Sequence, residues 1–157
     1  MEERKRNRLP CYDYSQPGAY FVTVCVKNRE HILGEKVQYC RGRCPHRPNT
    51  EDYGKIILSP IGKIAEKYIK TMCGVQKYII MPNHIHFMIV LDGSMWASTP
   101  TIPSIVRSFK TLVTKEIGYS IWQRSYYDHI IRNEEDFFQH IQYIEENPKK
   151  WKNDKYF

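Results

Sequence analysis

The segment Gln76–Leu91, QKYIIMPNHIHFMIVL, carries the strongest fold information in this sequence. Its first and last parts, 76–81 and 84–91, are rich in β-branched and aromatic side chains, which indicates two strands. Pro82-Asn83 lies between them and suits a tight connection. Side chains alternate across a strand, so His84 and His86 lie on one face and their apolar neighbours on the other. The second strand is therefore predicted to have one buried apolar face and one face that carries two imidazoles.

Apolar periodicity places the remaining elements around these two strands. Residues 19–26 are apolar on both faces, which favours a central strand. Further extended segments are predicted at 54–58 and 121–131, and helices at 60–73, 102–117 and 133–147. Pro148 is expected to end the last helix, because the residue before a proline avoids helical geometry. This order of elements predicts a mixed α+β sheet with helices packed on it.

The two histidines of the second strand are the first candidates for chemistry. Two imidazoles that share one strand face can chelate one divalent metal ion. His-x-His is also common by chance, and a buried structural pair of histidines is the alternative interpretation. The pattern at 84–86 leaves both interpretations open.

A polar stripe on the last predicted helix supplies the second set of candidates. Its members are spaced by four, three and four residues: Asp136, His140, Tyr143 and Asn147. Tyr143 and Asn147 lie one turn apart, so a phenol and an amide could both reach a metal site on a neighbouring sheet. The alternative for Tyr143 is an interfacial ring with its hydroxyl in water.

Three separated motifs, in order, resemble a known family. They are Met81–Phe87, Trp122–Asn133 and Tyr143–Pro148, and the opening residues 8–23 match as well. Together they are similar to the single-tyrosine HUH transposases, and within these to the REP-associated tyrosine transposases related to the IS200/IS605 group. The resemblance covers nearly the whole chain.

The resemblance implies a fold and a site. The fold is a ferredoxin-like α+β domain with an antiparallel sheet, helices packed on it and an additional C-terminal helix that carries the tyrosine. One such domain spans 1–157, with a loop insertion around 36–52 that departs from the family core. The resemblance assigns Tyr143 as the catalytic nucleophile, and His84, His86 and Asn147 as ligands of Mg²⁺ or Mn²⁺.

The resemblance also implies an activity and a partner. Such an enzyme cleaves and rejoins single-stranded DNA at hairpin-containing, REP-like sites through a 5′-phosphotyrosine intermediate. Its partner is single-stranded DNA with hairpins. Relatives act as monomers in some cases and as dimers in others, so a homodimer is one of the two expected states.

The charge of the chain agrees with a phosphate-rich partner. With 24 Lys and Arg against 17 Asp and Glu, the formal net charge is +7. The candidate phosphate contacts are Arg4, Lys5, Arg6, Arg8, Arg107, Lys110, Arg124 and Arg132. The candidate surfaces for stacking on unpaired bases are Tyr12, Tyr14, Trp122, Tyr126 and Tyr127.

Other functions and other nucleophiles stay open at this stage. Tyr126 and Tyr127 flank a family motif and rival Tyr143, although neither has a ligand-type residue one helical turn later. The rival functions are a non-catalytic nucleic-acid-binding module on the same fold, a metal-dependent hydrolase of small phosphoesters, and a replication initiator or relaxase. The last of these is usually longer than 157 residues.

Composition excludes several classes of protein. No run of eighteen or more apolar residues predicts a membrane span, and no apolar stretch follows the N-terminal charges as in a signal peptide. A cytoplasmic protein is therefore expected. Five cysteines, an odd number, argue against a disulfide framework. The segment from Cys40 to His46 lacks the second ligand pair of a structural zinc site.

Overall fold

A four-stranded antiparallel sheet forms the centre of the molecule. The structure is a computed structural model that describes residues 12–37, 55–93 and 100–151. The strands of the main sheet are β1 (Gly18–Cys25), β4 (Val75–Ile80), β5 (His84–Leu91) and β6 (Tyr127–Ile131), in the order β4-β5-β1-β6. A separate two-stranded sheet pairs β2 (Gly34–Lys36) with β3 (Ile56–Leu58). The helices are α1 (Pro60–Ile69), α2 (Ile102–Ile117) and α3 (Glu134–Lys150).

The predicted ferredoxin-like fold is confirmed. Along the chain, the main sheet and its first two helices follow the order β1-α1-β4-β5-α2-β6, and each neighbouring strand pair is antiparallel. The prediction that β1 is central is correct, since β1 pairs with β5 on one side and with β6 on the other. Helix α3 is the additional C-terminal helix.

The sheet is covered on both faces, which explains why β1 is apolar on both. One face packs under α1 and α2 in the larger core, where Val22, Phe87 and Phe109 meet. The opposite face packs under α3 in a smaller cluster around Phe21 and Ile144. Since residues directly opposite one another in antiparallel strands share a face, the register decides which side chains meet beneath α3.

Local capping signals place the helix starts where the sequence predicts them. The Ser59 hydroxyl accepts a hydrogen bond from the Gly62 amide at 3.0 Å, and the Asn133 side chain accepts one from the Asp136 amide at 2.8 Å. At the end of α2, Gly118 adopts a φ of 91°, a left-handed conformation that suits glycine. Among the described residues, no helix combines the length and the apolar composition that crossing a membrane requires.

Pro148 does not end the last helix, contrary to the prediction. Helix α3 continues to Lys150, and the next residue, Trp151, is buried. The Trp151 ring stacks on that of His84, with 5.6 Å between centroids, and it lies equally far from the ring of His31. A proline inside a helix removes one backbone hydrogen bond. We infer that the packing of this indole offsets the loss.

Further elements differ from the prediction. Helix α1 ends at Ile69 rather than at 73, and the chain then turns through Gly74, whose φ is 77°. The extended segment expected at 121–131 forms a strand only from Tyr127 onward. Before it, Trp122 makes one isolated antiparallel bridge to Val26, the residue that follows β1. Strand β2 was not predicted, because three residues are too few to show a periodicity.

The segment expected to be an insertion, 36–52, leaves from β2 and returns before β3. Its residues from 38 onward lie outside the described residues. At its base the Val37 amide donates to the Lys55 carbonyl at 3.0 Å, so the two ends of the segment are adjacent. The single domain over 1–157 stays a prediction.

Candidate metal and nucleophile site

His84 and His86 lie next to each other on the face of β5 beneath α3, and both are fully buried. Their Nε2 atoms face each other at 3.0 Å. The strand alternation that the sequence predicts is therefore present, with Ile85 and Phe87 in the larger core on the opposite face. The two imidazoles converge at a single point rather than packing as separate core residues.

Neighbouring side chains hold the outer nitrogen of each imidazole. The Asn83 Oδ1 lies 2.7 Å from the His84 Nδ1, and the Asn83 Nδ2 donates to the Arg29 carbonyl at 3.4 Å. This orientation of the amide leaves Oδ1 as the acceptor, so the His84 Nδ1 carries the proton. The Thr23 Oγ1 lies 2.8 Å from the His86 Nδ1 and can accept a hydrogen bond from it in the same way. Such contacts direct the bare Nε2 lone pairs inward, as in many metal sites.

Burial keeps His86 neutral. It lowers the pKa of the His86 imidazole well below the usual 6.5, and electrostatic interaction with the neighbouring imidazoles of His84 and His140 lowers it further. A neutral imidazole is the form that binds a metal ion. At neutral pH the His86 imidazole is therefore in the form that can act as a ligand.

Helix α3 covers the histidine pair with side chains from three successive turns. The Tyr143 ring lies 5.3 Å from the His86 ring, and the Trp151 ring stacks on His84. Asn147 is midway between these two positions on the helix, which places its side chain over the pair. Asn147 is only 2% exposed, and its Oδ1 and Nδ2 have no hydrogen-bond partner among the described residues.

This donor set fits a divalent cation. Two nitrogens bound at adjacent positions of one octahedral ion, with bonds of about 2.1 Å, would be separated by about 3.0 Å. A buried amide without partners costs about 1–3 kcal/mol. An ion that accepted the Asn147 Oδ1 as a ligand would remove part of that cost. Two neutral imidazoles and one amide oxygen add no negative charge, so they leave the full charge of the ion for a substrate anion.

The rival tyrosines point to opposite faces of the sheet. Tyr126 is 5% exposed and belongs to the larger core. Tyr127 is 39% exposed and lies directly opposite Thr23 in the β1–β6 pairing, so it shares the face of the histidine pair. Tyr143 is 38% exposed. Because Tyr126 lies on the face opposite the histidine pair, it is excluded as the nucleophile. Tyr127 and Tyr143 both remain candidates.

Comparison with known proteins relates the chain to a family. No family model matches it. An uncharacterised Haemophilus influenzae protein is 30% identical over 184 aligned positions, which cover 100% of this chain and 94% of that protein. The chain belongs to the family of this protein. A second Haemophilus influenzae protein, provisionally named a REP-associated tyrosine transposase, is 25% identical over 150 positions, covering 88% of the chain and 74% of that protein.

A solved structure shows the same fold. It is a REP-associated tyrosine transposase bound to a REP hairpin, which superposes with a TM-score of 0.59 at 23% identity and covers 96% of this chain and 74% of the other. The resemblance of the chain to the REP-associated tyrosine transposases is confirmed.

The predicted phosphate contacts of this transposase-like chain fall into three groups: residues outside the described ranges, exposed residues, and one residue that hydrogen-bonds within the protein. Arg4, Lys5, Arg6 and Arg8 lie outside the described residues. Arg107, Arg124 and Arg132 are exposed. The Lys110 ammonium instead donates to the carbonyls of Gln123 and Ser125, both at 2.8 Å, and burial lowers its pKa to about 8. Lys110 thus holds the chain before β6 in place, a role that sequence reasoning missed.

The predicted stacking residues divide in the same way. Tyr14, Trp122 and Tyr126 are buried in the larger core, so their rings cannot stack on a base without a rearrangement. Tyr12 is half-buried against Tyr14, and Tyr127 is exposed. Of the predicted set, Tyr127 therefore offers the most accessible ring.

Two residues that orient the histidines were also missed by sequence reasoning. Asn83 directly precedes the histidines, and its position in the motif is a signal that could have found it. Thr23 lies 63 residues from His86 in the chain, and only the strand register brings them together. No local pattern in the sequence marks Thr23.

Proposed function

We propose that this chain is a metal-dependent single-stranded DNA transposase or endonuclease that cleaves and rejoins DNA at hairpin-containing, REP-like sites. One arrangement carries the proposal: two inward-facing imidazoles and a tyrosine ring lie together between β5 and α3, and one turn after the tyrosine α3 carries a buried amide with no hydrogen-bond partner among the described residues. A module that only binds nucleic acid needs no such set of donors.

His84, His86 and Asn147 would hold a divalent ion, and the donor set with two imidazoles favours Mn²⁺ over Mg²⁺. When bound, the ion would draw charge from a phosphodiester and orient the scissile bond. Asn83 and Thr23 keep the ligand nitrogens aimed at the ion. Trp151 covers His84 and excludes water from that side.

Tyr143 would supply the nucleophile. Its phenolic oxygen attacks the phosphorus and loses its proton, and the phosphorus–oxygen bond to the departing 3′ oxygen breaks. That oxygen takes up a proton and becomes a free 3′-hydroxyl, while the 5′ side of the cut stays joined to the tyrosine. Attack by a 3′-hydroxyl on the phosphotyrosine reverses the step, so rejoining needs no ATP. The contacts of the Tyr143 ring with His86 and Phe21 restrict its position beside the ligands.

The substrate is inferred from charge and from a structural neighbour. The net charge of +7 favours a polyanion. The neighbouring transposase of the same fold was solved bound to a REP hairpin, and we extend this class of partner to the present chain. Of the residues predicted to contact DNA, the exposed Tyr127 and the three exposed arginines are the described ones that could do so. The homodimer stays a prediction.

The test is a covalent-adduct assay. Protein is incubated with Mn²⁺ and labelled single-stranded DNA that carries hairpins from beside its gene, and the products are separated on a denaturing gel. Wild type is expected to give a slowly migrating protein–DNA band that EDTA abolishes. Tyr143→Phe removes only the hydroxyl and is expected to abolish the band.

Tyr127→Phe is the matched control. Tyr127 on β6 and Tyr143 on α3 lie on the same side of the sheet as the histidine pair, and they are almost equally exposed. The Tyr127→Phe variant is expected to retain the band. A band lost in Tyr127→Phe and kept in Tyr143→Phe would move the nucleophile to β6. Hairpin binding without any adduct, in the presence of Mn²⁺, would support the non-catalytic binding module instead.

A further inference from the structure

A second cluster of metal-ligating side chains lies on the same side of the sheet, at the junction of β6 and α3. It consists of His129, Asp136 and His140, whose ligand atoms all lie within 4.8 Å of one another. The ring of Phe21 separates it from the first site, with its centroid 5.0 Å from that of His86 and 4.6 Å from that of His140. The proposed cleavage reaction does not use this cluster.

The cluster is built around the carboxylate of Asp136. The His129 Nε2 lies 2.9 Å and 3.1 Å from the two carboxylate oxygens, and the His140 Nδ1 lies 3.1 Å from Oδ1. The hydrogen bond between Asp136 and His129 is the main reason why the pKa of the Asp136 carboxyl lies below its usual value. The carboxylate is therefore ionised at neutral pH, as a metal ligand must be.

The backbone fixes all three residues. Asp136 lies in the first turn of α3, where its amide is capped by Asn133, and its Oδ2 accepts from the Arg132 amide at 3.1 Å. His140 is one turn further along the same helix, and its ring stacks on that of His129 with 4.7 Å between centroids and 19° between planes. The ligand atoms are thus held close together before any ion binds.

We propose that His129, Asp136 and His140 form a second metal site, for a borderline divalent ion of the Zn²⁺ class. Two imidazole nitrogens with one carboxylate suit Zn²⁺, Ni²⁺ or Co²⁺ better than Mg²⁺. Ligands of a tetrahedral Zn²⁺ with bonds of about 2.0 Å are about 3.3 Å apart. The observed nitrogen–oxygen distances of 2.9–3.1 Å are close to this value, and all three ligand atoms lie within 4.8 Å of one another.

Each imidazole donates to the Asp136 carboxylate from its ligand nitrogen, and when the ion binds there that proton moves through solvent to the other ring nitrogen. His140 Nδ1 lies 2.8 Å from the Asp136 carbonyl as well, and it gives up that hydrogen bond when it binds the ion. In exchange, one ion links β6 to the first two turns of α3. This helix also carries Tyr143 and Asn147. An ion at the second site would therefore stabilise the position of α3, which places these two residues at the first site.

The experiment measures how many ions each chain binds and how tightly. Wild type is stripped with chelator and titrated with Zn²⁺ by calorimetry, and with Co²⁺ by visible absorption. His129→Gln and Asp136→Asn are compared with Glu135→Gln, which changes an exposed carboxylate on the same turn. His129 is about half exposed, so its variant should keep the fold, which circular dichroism checks.

Both variants are expected to bind one ion fewer than wild type, or to bind it at least about tenfold more weakly, while Glu135→Gln matches wild type. Zn²⁺ should also raise the melting temperature of wild type more than that of His129→Gln. Equal ion counts and affinities in wild type and in His129→Gln would overturn the proposal. If the variants lost DNA cleavage with unchanged ion binding, the cluster would act on DNA directly and the metal site would be refuted.

Discussion

Replacing Asn147 with leucine separates stability from metal binding. The two side chains have the same number of heavy atoms and a similar branched shape, so Asn147→Leu removes the polar atoms without leaving a large cavity. Both polar atoms of Asn147 are buried and lack partners among the described residues. Because such an amide costs about 1–3 kcal/mol, the variant in EDTA should unfold with a free energy higher by about that amount. The matching rise in melting temperature is about 2–4 °C per kcal/mol.

Mn²⁺ should stabilise wild type more than the variant and so reduce this difference. An ion at a concentration one hundred times its dissociation constant stabilises the folded protein by about 2.7 kcal/mol. Wild type should gain this amount and the variant much less, since Asn147→Leu loses one of three ligands. Urea unfolding with and without Mn²⁺ measures both quantities, and the variant should also lose the covalent adduct.

Gln142→Leu is the control, because it also replaces a carboxamide with leucine, at an exposed position of α3. It reports the effect of leucine on the helix itself, which is expected to be within about 0.5 kcal/mol. If Asn147→Leu in EDTA proved less stable than wild type, the Asn147 amide would have partners within the protein. The reasoning that assigns it to an ion would then fail.

Three further predictions follow from the contacts of single residues. Thr23→Val keeps the shape of the side chain and removes the hydroxyl beside the His86 Nδ1, so calorimetry should show Mn²⁺ affinity about 10–100-fold weaker. The folded-state pKa of His86 is depressed, so the folded protein binds fewer protons than the unfolded one, and stability in EDTA should fall as pH drops below about 6.5. For this one group the slope in urea unfolding is at most about 1.4 kcal/mol per pH unit, and a flat profile would contradict burial of the imidazole. Lys110→Met should leave two carbonyls without a donor and lower stability by about 1–3 kcal/mol, with the salt dependence of DNA binding unchanged. A reduced salt slope would instead restore Lys110 as a phosphate contact.

Local signals in the sequence were enough to predict most of the fold. The alternation in 84–91, the two-sided apolar run of β1 and the caps at Ser59 and Asn133 each depend on a few neighbouring residues. Pro148 misled the prediction because local preference was outweighed by the burial of Trp151 against the sheet. That contact is tertiary, and the spacing of Trp151 in the sequence does not by itself show that the indole packs on His84.

The candidate site was predictable to the extent that its residues lie close in sequence. His84 and His86 are two residues apart, and Tyr143 and Asn147 are four apart, so their spacing was visible. The hydroxyl that orients His86 comes from β1, and only the pairing of β1 with β5 reveals it. The second cluster was hidden for the same reason: β6 brings His129 to the polar stripe of α3, and the stripe alone showed only the helical members.

The course of α3 through Pro148 determines how the site is assembled. Tyr143, Asn147 and Trp151 follow one another at intervals of four residues, a rise of about 6 Å each, and contact or cover the histidine pair from end to end. A helix that stopped at Asn147 would leave this residue in a frayed last turn and His84 without its indole cover. Because the helix continues, Asn147 lies inside a packed turn, which can hold an amide that has no hydrogen-bond partner among the described residues. The proposed nucleophile, the proposed ligand and the indole that packs on His84 thus all belong to one helical segment. Their spacing is therefore determined by helical geometry rather than by a loop.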